Sequence, residues 1–186
     1  MQKQIILASG SPRRRQLLDQ AGIPHKVVVS NADETVSGTP DHQVKELALR
    51  KAQAVIPMLE GNEIIIAADT IVFIDDQVLG KPKNHEHAFE MLKKLSGNTH
   101  QVYTGVAVVD PSNTVVFYDM TEVTFRNLTD TEIQDYIATG EPFDKAGAYG
   151  IQERGSVLVD RINGDFYTVM GLPIAKVYTT LRENFT

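Results

Sequence analysis

The sequence predicts an α/β fold, one domain over residues 1-186 built as two lobes. Three observations carry that expectation. Ile64-Ile65-Ile66-Ala67-Ala68 is an unbroken apolar run rich in Ile, the pattern of a strand buried on both faces. The opening of the chain reads strand, short loop, helix start, the unit from which α/β sheets are made. Finally, 186 residues with 42% hydrophobic and 23% charged side chains suffice for one substantial core and do not have the composition of a disordered chain.

Composition excludes several functions. A net charge of −6 argues against broad duplex binding, which needs clustered cations, but leaves room for a small anion held by a few Lys and Arg. Without Cys there are no disulfides, no thiolate catalysis and no Cys-bound zinc. Met1 to Ala8 enters an apolar run with no cleavage region, and no apolar stretch approaches the roughly 20 residues of a membrane span. The expectation is a cytoplasmic protein with no nucleic-acid or membrane partner.

Gln4 to Ala8 reads as the first strand. Ser11 then suits an N-cap and Pro12 the first helical position, where a missing N–H costs nothing. Leu17, Leu18 and Ala21 recur at helical spacing until Gly22 and Pro24. Free N–H groups and the positive end of the helix dipole therefore face the Ser9-Gly10-Ser11 loop, a setting that suits phosphate. Arg13, Arg14 and Arg15 in that first turn oppose the dipole, and a bound anion would offset the conflict.

Lys26 to Ser30 reads as a second strand. A polar loop through Asp33-Glu34 follows, then a helix from Pro40 to about Glu60 with Val44, Leu47, Ala48, Val55 and Leu59 as its apolar stripe. Lys51 lies on that stripe, either snorkelling outward or reaching an anion. The Ile-rich strand is followed by Asp69 and Thr70, at the carboxyl end where ligand crevices open in such sheets, and a turn-forming Asp is the alternative. Ile71 to Ile74 continues it or starts another strand, and Asp75-Asp76-Gln77 reads as a turn. Lys81 follows in a loop shaped by Gly80 and Pro82.

A helix is expected from about Asn84 to Leu95. His85 and His87, two apart, point to different faces and are read as surface residues. Val102 to Val109 and Thr114 to Phe125 read as a hairpin across Asp110-Pro111-Ser112-Asn113. Thr129 with Glu132 forms a capping-box pattern before a short helix ended by Gly140. In the small-residue loop Asp144 to Gln152, Gln152 offers an amide able to read a base edge, and a plain connector is the alternative. Ser156 to Ile162 reads as a strand, Asn163-Gly164-Asp165 as a hairpin turn and Phe166 to Met170 as the returning strand. The last helix opens at Gly171-Leu172-Pro173 with Leu172, Ala175, Tyr178 and Leu181 inward.

Cations (Arg13, Arg14, Lys51, Lys81) and acids (Glu34, Asp69) all fall at loops beside strand ends or helix starts. Together they suit a polyphosphate with a hard divalent metal. No P-loop, no Gly-x-Gly-x-x-Gly and no Gly-x-Ser-x-Gly motif is present.

The ordered set Ser9-Gly10-Ser11-Pro12-Arg13-Arg14, Ala68-Asp69-Thr70, Leu79-Gly80-Lys81-Pro82, Ser96-Gly97 with His100, Lys145 to Gln152 and Gly171-Leu172-Pro173 resembles the Maf family over nearly the whole chain. The resemblance implies an inosine-triphosphatase-like (Maf/Ham1-like) fold: a twisted mixed sheet flanked by helices, in two lobes around a cleft. It implies a nucleoside triphosphate pyrophosphatase that attacks the α-phosphorus with Mg2+ or Mn2+. Asp69 would be the proton acceptor and a metal ligand, and Glu34 a second metal-linked acid. Ser9, Arg13, Arg14, Lys51 and Lys81 match phosphate-handling positions. Arg13, Thr70 and Gln152 resemble the subgroup that prefers dTTP and UTP; canonical and modified pyrimidine nucleotides are both left open as the cellular substrate. Glu153 stands where many relatives have Gly. A homodimer also fits the resemblance. The alternatives it leaves are a 7-methyl-GTP-preferring enzyme and a nucleotide-binding regulator of septum formation without turnover.

Overall fold

The computed structural model describes residues 3–185. Met1 and Gln2, part of the opening run in the sequence reading, lie outside them. The elements are β1 (Ile5–Leu7), α1 (Pro12–Gln20), β2 (His25–Val27), α2 (Pro40–Val55), β3 (Ile64–Ile74), β4 (Gln77–Leu79) and α3 (His85–Leu95). The chain continues through β5 (Thr99–Val109), β6 (Thr114–Phe125), α4 (Asp130–Ala138), β7 (Val159–Asn163), α5 (Phe166–Met170) and α6 (Ile174–Asn184). The sheet is mixed, in the order β2-β1-β3-β5-β6-β7, with β4 paired to β3. No helix among the described residues is long and apolar enough to cross a membrane. The chain divides into two compact units. The first runs through Asp69 and adds Thr104–Asp119 and the segment from Gly171 onward. The second comprises Thr70–Tyr103 and Met120–Met170.

In the first unit β1 pairs in parallel with β2 and with β3, Ile5 opposite Ile64 and Leu7 opposite Ile66. Side chains alternate along a strand, so Ile6 and Ala8 share a face, as do Ile65 and Ala67. Those four residues bury against Ala48, Ala52 and Val55 of α2, with Ala107 and Val109 of β5. Small residues dominate this layer and let the helix lie close. At Gly105 a Cβ would stand 2.2 Å from the carbonyl oxygen of Val44, so only glycine admits α2 at that height. The helix α2 stops at Val55, and Ile56–Met58 form a 3-10 turn at Pro57, earlier than Glu60.

In the second unit β3 turns into β4 through Asp75 and Asp76, both left-handed with φ 48° and 56°, the backbone of a two-residue hairpin turn. Asn84 caps α3, its Oδ1 accepting from the N–H of His87 at 2.8 Å. The Thr129–Glu132 capping box forms in both directions.

Several expectations fail. The strand expected from Ser156 begins at Val159, after a 3-10 turn over Arg154–Leu158. Phe166 to Met170 is a helix, not a returning strand. Asp165 explains it: its Oδ2 accepts from the N–H of Thr168 at 2.7 Å and from Thr168 Oγ1 at 3.0 Å, an N-cap that outcompetes the β-propensity of five residues. In α6 Val177 is buried, whereas Ala175 and Tyr178 face outward.

Candidate functional site

Asp69 does not end a strand. It is the sixth residue of the eleven-residue β3, which continues through Thr70 to Ile74. What ends is its neighbour: β1 stops at Leu7, and the last contact, Ala8 N–H to Ile66 carbonyl at 2.8 Å, lies three residues before Asp69. The chain then leaves the sheet at Ser9. Asp69 follows Ile65 and Ala67 in the alternation, so its side chain emerges on the face covered by α2.

Lys51 on α2 meets it there. On that helix Lys51 shares its face with Ala48, Ala52 and Val55, which lie on the sheet. Its Nζ donates to Asp69 Oδ1 at 2.6 Å and pairs with Glu34 Oε1 at 2.8 Å. The Lys51 and Asp69 side chains are 15% and 13% exposed, while Glu34 is 65% exposed, so the first pair is sheltered and the second opens to water. Between snorkelling and binding an anion, the structure gives a third outcome: the ammonium bridges two carboxylates.

The opening helix supplies the rest. Ser11 has N-cap backbone geometry but its side chain makes no cap hydrogen bond. Its N–H instead donates to Ser9 Oγ at 3.2 Å, and Arg14 Nη1 donates to the same oxygen at 3.1 Å. Arg14 Nε donates to the carbonyl of Gly171 at 2.7 Å, across 157 residues of chain. Burial lowers the Arg14 pKa from its usual value; Asp69 and Glu34 pull it back up and Arg13 adds to the lowering. Arg14 thus lies in the field of both acids. The first turn of α1 contains no acidic residue, leaving its N–H groups and dipole to an anion.

The first unit therefore gathers Ser9, Arg14, Glu34, Lys51 and Asp69, with Arg13 half-buried on the same helix turn. The second holds Thr70, Lys81 and Gln152. Lys81 is exposed just after β4, and its loop is tied to the Lys145–Gln152 segment by a hydrogen bond from the Gly147 N–H to the Gly80 carbonyl at 3.1 Å. Gln152 is half-buried, and its Oε1 has no hydrogen-bond partner among the described residues.

Sequence reasoning missed Gly171 as the anchor of Arg14, and the aromatic cluster of His100, Phe125 and Tyr149. The first was signalled only by the Gly171-Leu172-Pro173 motif, which carries no chemistry by itself. Among the described residues no three His, Cys, Asp or Glu side chains cluster as a metal site. A two-carboxylate set still fits Mg2+ or Mn2+, because such ions complete their sphere with water and substrate phosphates.

The family described as Maf-like protein matches residues 4–184. A protein of Bacillus mycoides (strain KBAB4) named dTTP/UTP pyrophosphatase is 51% identical over 183 residues, covering 97% of this chain and 95% of its own. One of the same name from Bacillus cereus (strain ATCC 10987 / NRS 248) is 52% identical, covering 97% and 90%. Among solved structures, the Staphylococcus aureus Ham1 protein superposes with a TM-score of 0.55 at 17% identity, over 95% of this chain and 99% of its own. That likeness concerns the fold, and it is the Ham1-like fold that the resemblance implied.

Proposed function

The chain belongs to the Maf family, and on that premise we propose that it is a nucleoside triphosphate pyrophosphatase. It takes dTTP or UTP and water to the monophosphate and pyrophosphate, clearing such nucleotides from the pool. The observation that carries the reading is the Lys51 ammonium bridging Asp69 and Glu34, in the electrostatic reach of Arg14. Few sites need two acids and two buried or half-buried cations at a helix start, and an enzyme cleaving a phosphoanhydride is one of them.

In this reading the water oxygen bonds to the α-phosphorus as the bond from that phosphorus to the α–β bridging oxygen breaks. One water proton passes to the Asp69 carboxylate and the other stays on the monophosphate. The bridging oxygen leaves with pyrophosphate, its charge met by Arg14, Lys51 and the N–H groups at the start of α1. Ser9 orients Arg14 and contacts the phosphates. Lys81 also serves the phosphates, and Arg13, Thr70 and Gln152 choose the base. Glu34 and Asp69 would hold Mg2+ or Mn2+, which when bound supplies charge neutralisation at the phosphates and acidifies water. The proposal extends to a cytoplasmic location, and to a homodimer, which fits the family resemblance.

The test is a nucleotide panel. Purified protein with Mg2+ or Mn2+ is offered dTTP, UTP, CTP, ATP, GTP and 7-methyl-GTP, and pyrophosphate is measured. Release is expected from dTTP and UTP first, and Asp69→Asn is expected to abolish most of it while leaving the circular dichroism spectrum unchanged. Preference for 7-methyl-GTP, or tight binding of nucleotides without release, would overturn the reading.

A further inference from the structure

Gln152 sits at the end of a segment held in a conformation it would not adopt alone. Gly147 and Ala148 are consecutive left-handed residues, with φ 68° and 64°. For Ala148 that conformation is strained, and such strain persists only where the surroundings over-determine it. The surroundings here are two aromatic hydroxyls. Tyr149, 5% exposed, shares a hydrogen bond of 2.7 Å between its hydroxyl and Nε2 of His100 on β5. The Tyr136 hydroxyl on α4 accepts from the N–H of Gly150 at 3.1 Å.

His100 is 1% exposed. Its ring stands edge-on to Phe125 at 5.2 Å and to Tyr149 at 5.4 Å, and those two rings meet edge-on at 4.7 Å. Nδ1 of His100 is buried and has no partner among the described residues. A polar ring in an apolar box with half of its hydrogen-bonding capacity unused is costly, and Phe would fill that box at no such cost. Among the described residues the one polar contact the ring makes is to Tyr149. Three residues further along, Gln152 is half-buried and its Oε1 is an acceptor with no partner among the described residues.

We propose that His100 is a positioning residue for base recognition: by holding the Tyr149 hydroxyl it fixes the Ala148–Gln152 segment so that Gln152 Oε1 meets a ring N–H donor. This rests on the reading of Gln152 as a base contact. The chemistry names the ligand class. In the orientation found, the Gln152 amide presents its oxygen, and that orientation selects an imide ring, whose N–H lies between two carbonyls, as in uracil and thymine. Cytosine offers a bare ring nitrogen at that position and would leave the acceptor unpaired. Sites built to hydrogen-bond a donor reject analogues that lack it.

The test compares His100→Phe, Tyr149→Phe and Gln152→Ala, reading the ratio of kcat/KM for UTP over CTP. Both Phe variants keep an aromatic ring in the box, and each is expected to lower the ratio about tenfold, the worth of one net hydrogen bond. The loss should fall mainly on KM for UTP, and the His100→Phe/Tyr149→Phe double variant should lose little more than either single one. In a Gln152→Ala background His100→Phe should change nothing further. If His100→Phe does not fold, Tyr149→Phe alone decides. An unchanged ratio in the folded Phe variants overturns the positioning role, and so does an equal fall of kcat for every base. An unchanged ratio in Gln152→Ala overturns the base-contact reading instead. Should turnover be absent, the same ratio taken from calorimetric affinities serves.

Discussion

Lys51 and Asp69 lie 18 residues apart in sequence and 2.6 Å apart in space, Nζ to Oδ1, and the same ammonium reaches Glu34 Oε1 at 2.8 Å. The ammonium thus occupies two acids that a divalent ion would need. Replacing Lys51 by Met leaves those carboxylates facing each other. Losing a charge-assisted hydrogen bond at this sheltered site costs about 1.5–3 kcal/mol. For a chain of this size that is a fall in Tm of about 3–12 °C. Melts in chelator should show that fall. Mn2+ should then raise the Tm of Lys51→Met by more than it raises that of the parent, because the ion no longer competes with an ammonium. Equal Mn2+ shifts in the two proteins would refute this competition.

Arg14 is expected to be irreplaceable even by Lys. Its fork serves Gly171 through Nε at 2.7 Å and Ser9 through Nη1 at 3.1 Å. A lysine has one donor point and cannot span both. Arg14→Lys should lower kcat/KM by about 10–100-fold. Arg15→Lys is the control, since that side chain is 67% exposed and makes only a 4.0 Å pair with Asp19. Exposed pairs of this kind contribute little. Similar losses in both variants would show that the basic turn acts as a diffuse charge and that the fork has no special part.

The contrast between these two arginines marks what was legible beforehand. Local chemistry was: Pro12 at the start of α1, the Thr129–Glu132 box, the Asp110–Asn113 turn and the bounds of β6 follow from residue types and short spacings. The gathering of the named candidates Ser9, Arg14, Glu34, Lys51 and Asp69 was not, because it depends on which strands are neighbours and which face α2 covers. Polar residues also misled. Asp69-Thr70 looked like the end of a strand, yet β3 runs on because its ladder continues to β4, while the opening is made by β1 stopping short. Phe166 to Met170 has strand-like residues, but the carboxylate of Asp165 decided its conformation. His100 drew notice only as part of a motif, since its partner is 49 residues away.

Acid should expose the burial of His100. Desolvation holds its pKa down at about 4, against an ordinary 6.5. The titratable group facing the ring is Tyr149, whose own pKa burial raises, so it stays neutral throughout. Because the folded pKa is depressed, the unfolded chain takes up this proton first as pH falls. The stability tied to a neutral His100 is therefore complete above pH 6.5 and is lost between there and pH 4. The loss is on the order of 3 kcal/mol. Urea unfolding of the parent and of His100→Phe at pH 7, 6, 5 and 4 measures it. The parent should lose more stability across the window than the variant does. Parallel curves would mean that His100 is accessible to protons in the folded state.

Gly147 should tolerate no side chain, for two separable reasons. Its φ of 68° is left-handed, and an added Cβ would stand 2.7 Å from Val72 Cγ2 on β3. The first cost is about 1–2 kcal/mol and belongs to the backbone alone. The second is steric and depends on Val72. Gly147→Ala should therefore destabilise strongly, Val72→Ala should cost what a small cavity costs, and the double variant should be less destabilised than the sum of the two. The residue left after coupling is the backbone strain. Because the Gly147 N–H also holds the Gly80 carbonyl beside Lys81, the folded Gly147→Ala protein should show a raised KM for nucleotide. Urea midpoints of the four proteins, with KM for UTP, decide the matter. Strictly additive midpoints would show that the segment moves away from Val72 freely, and that it does not set the place of Lys81.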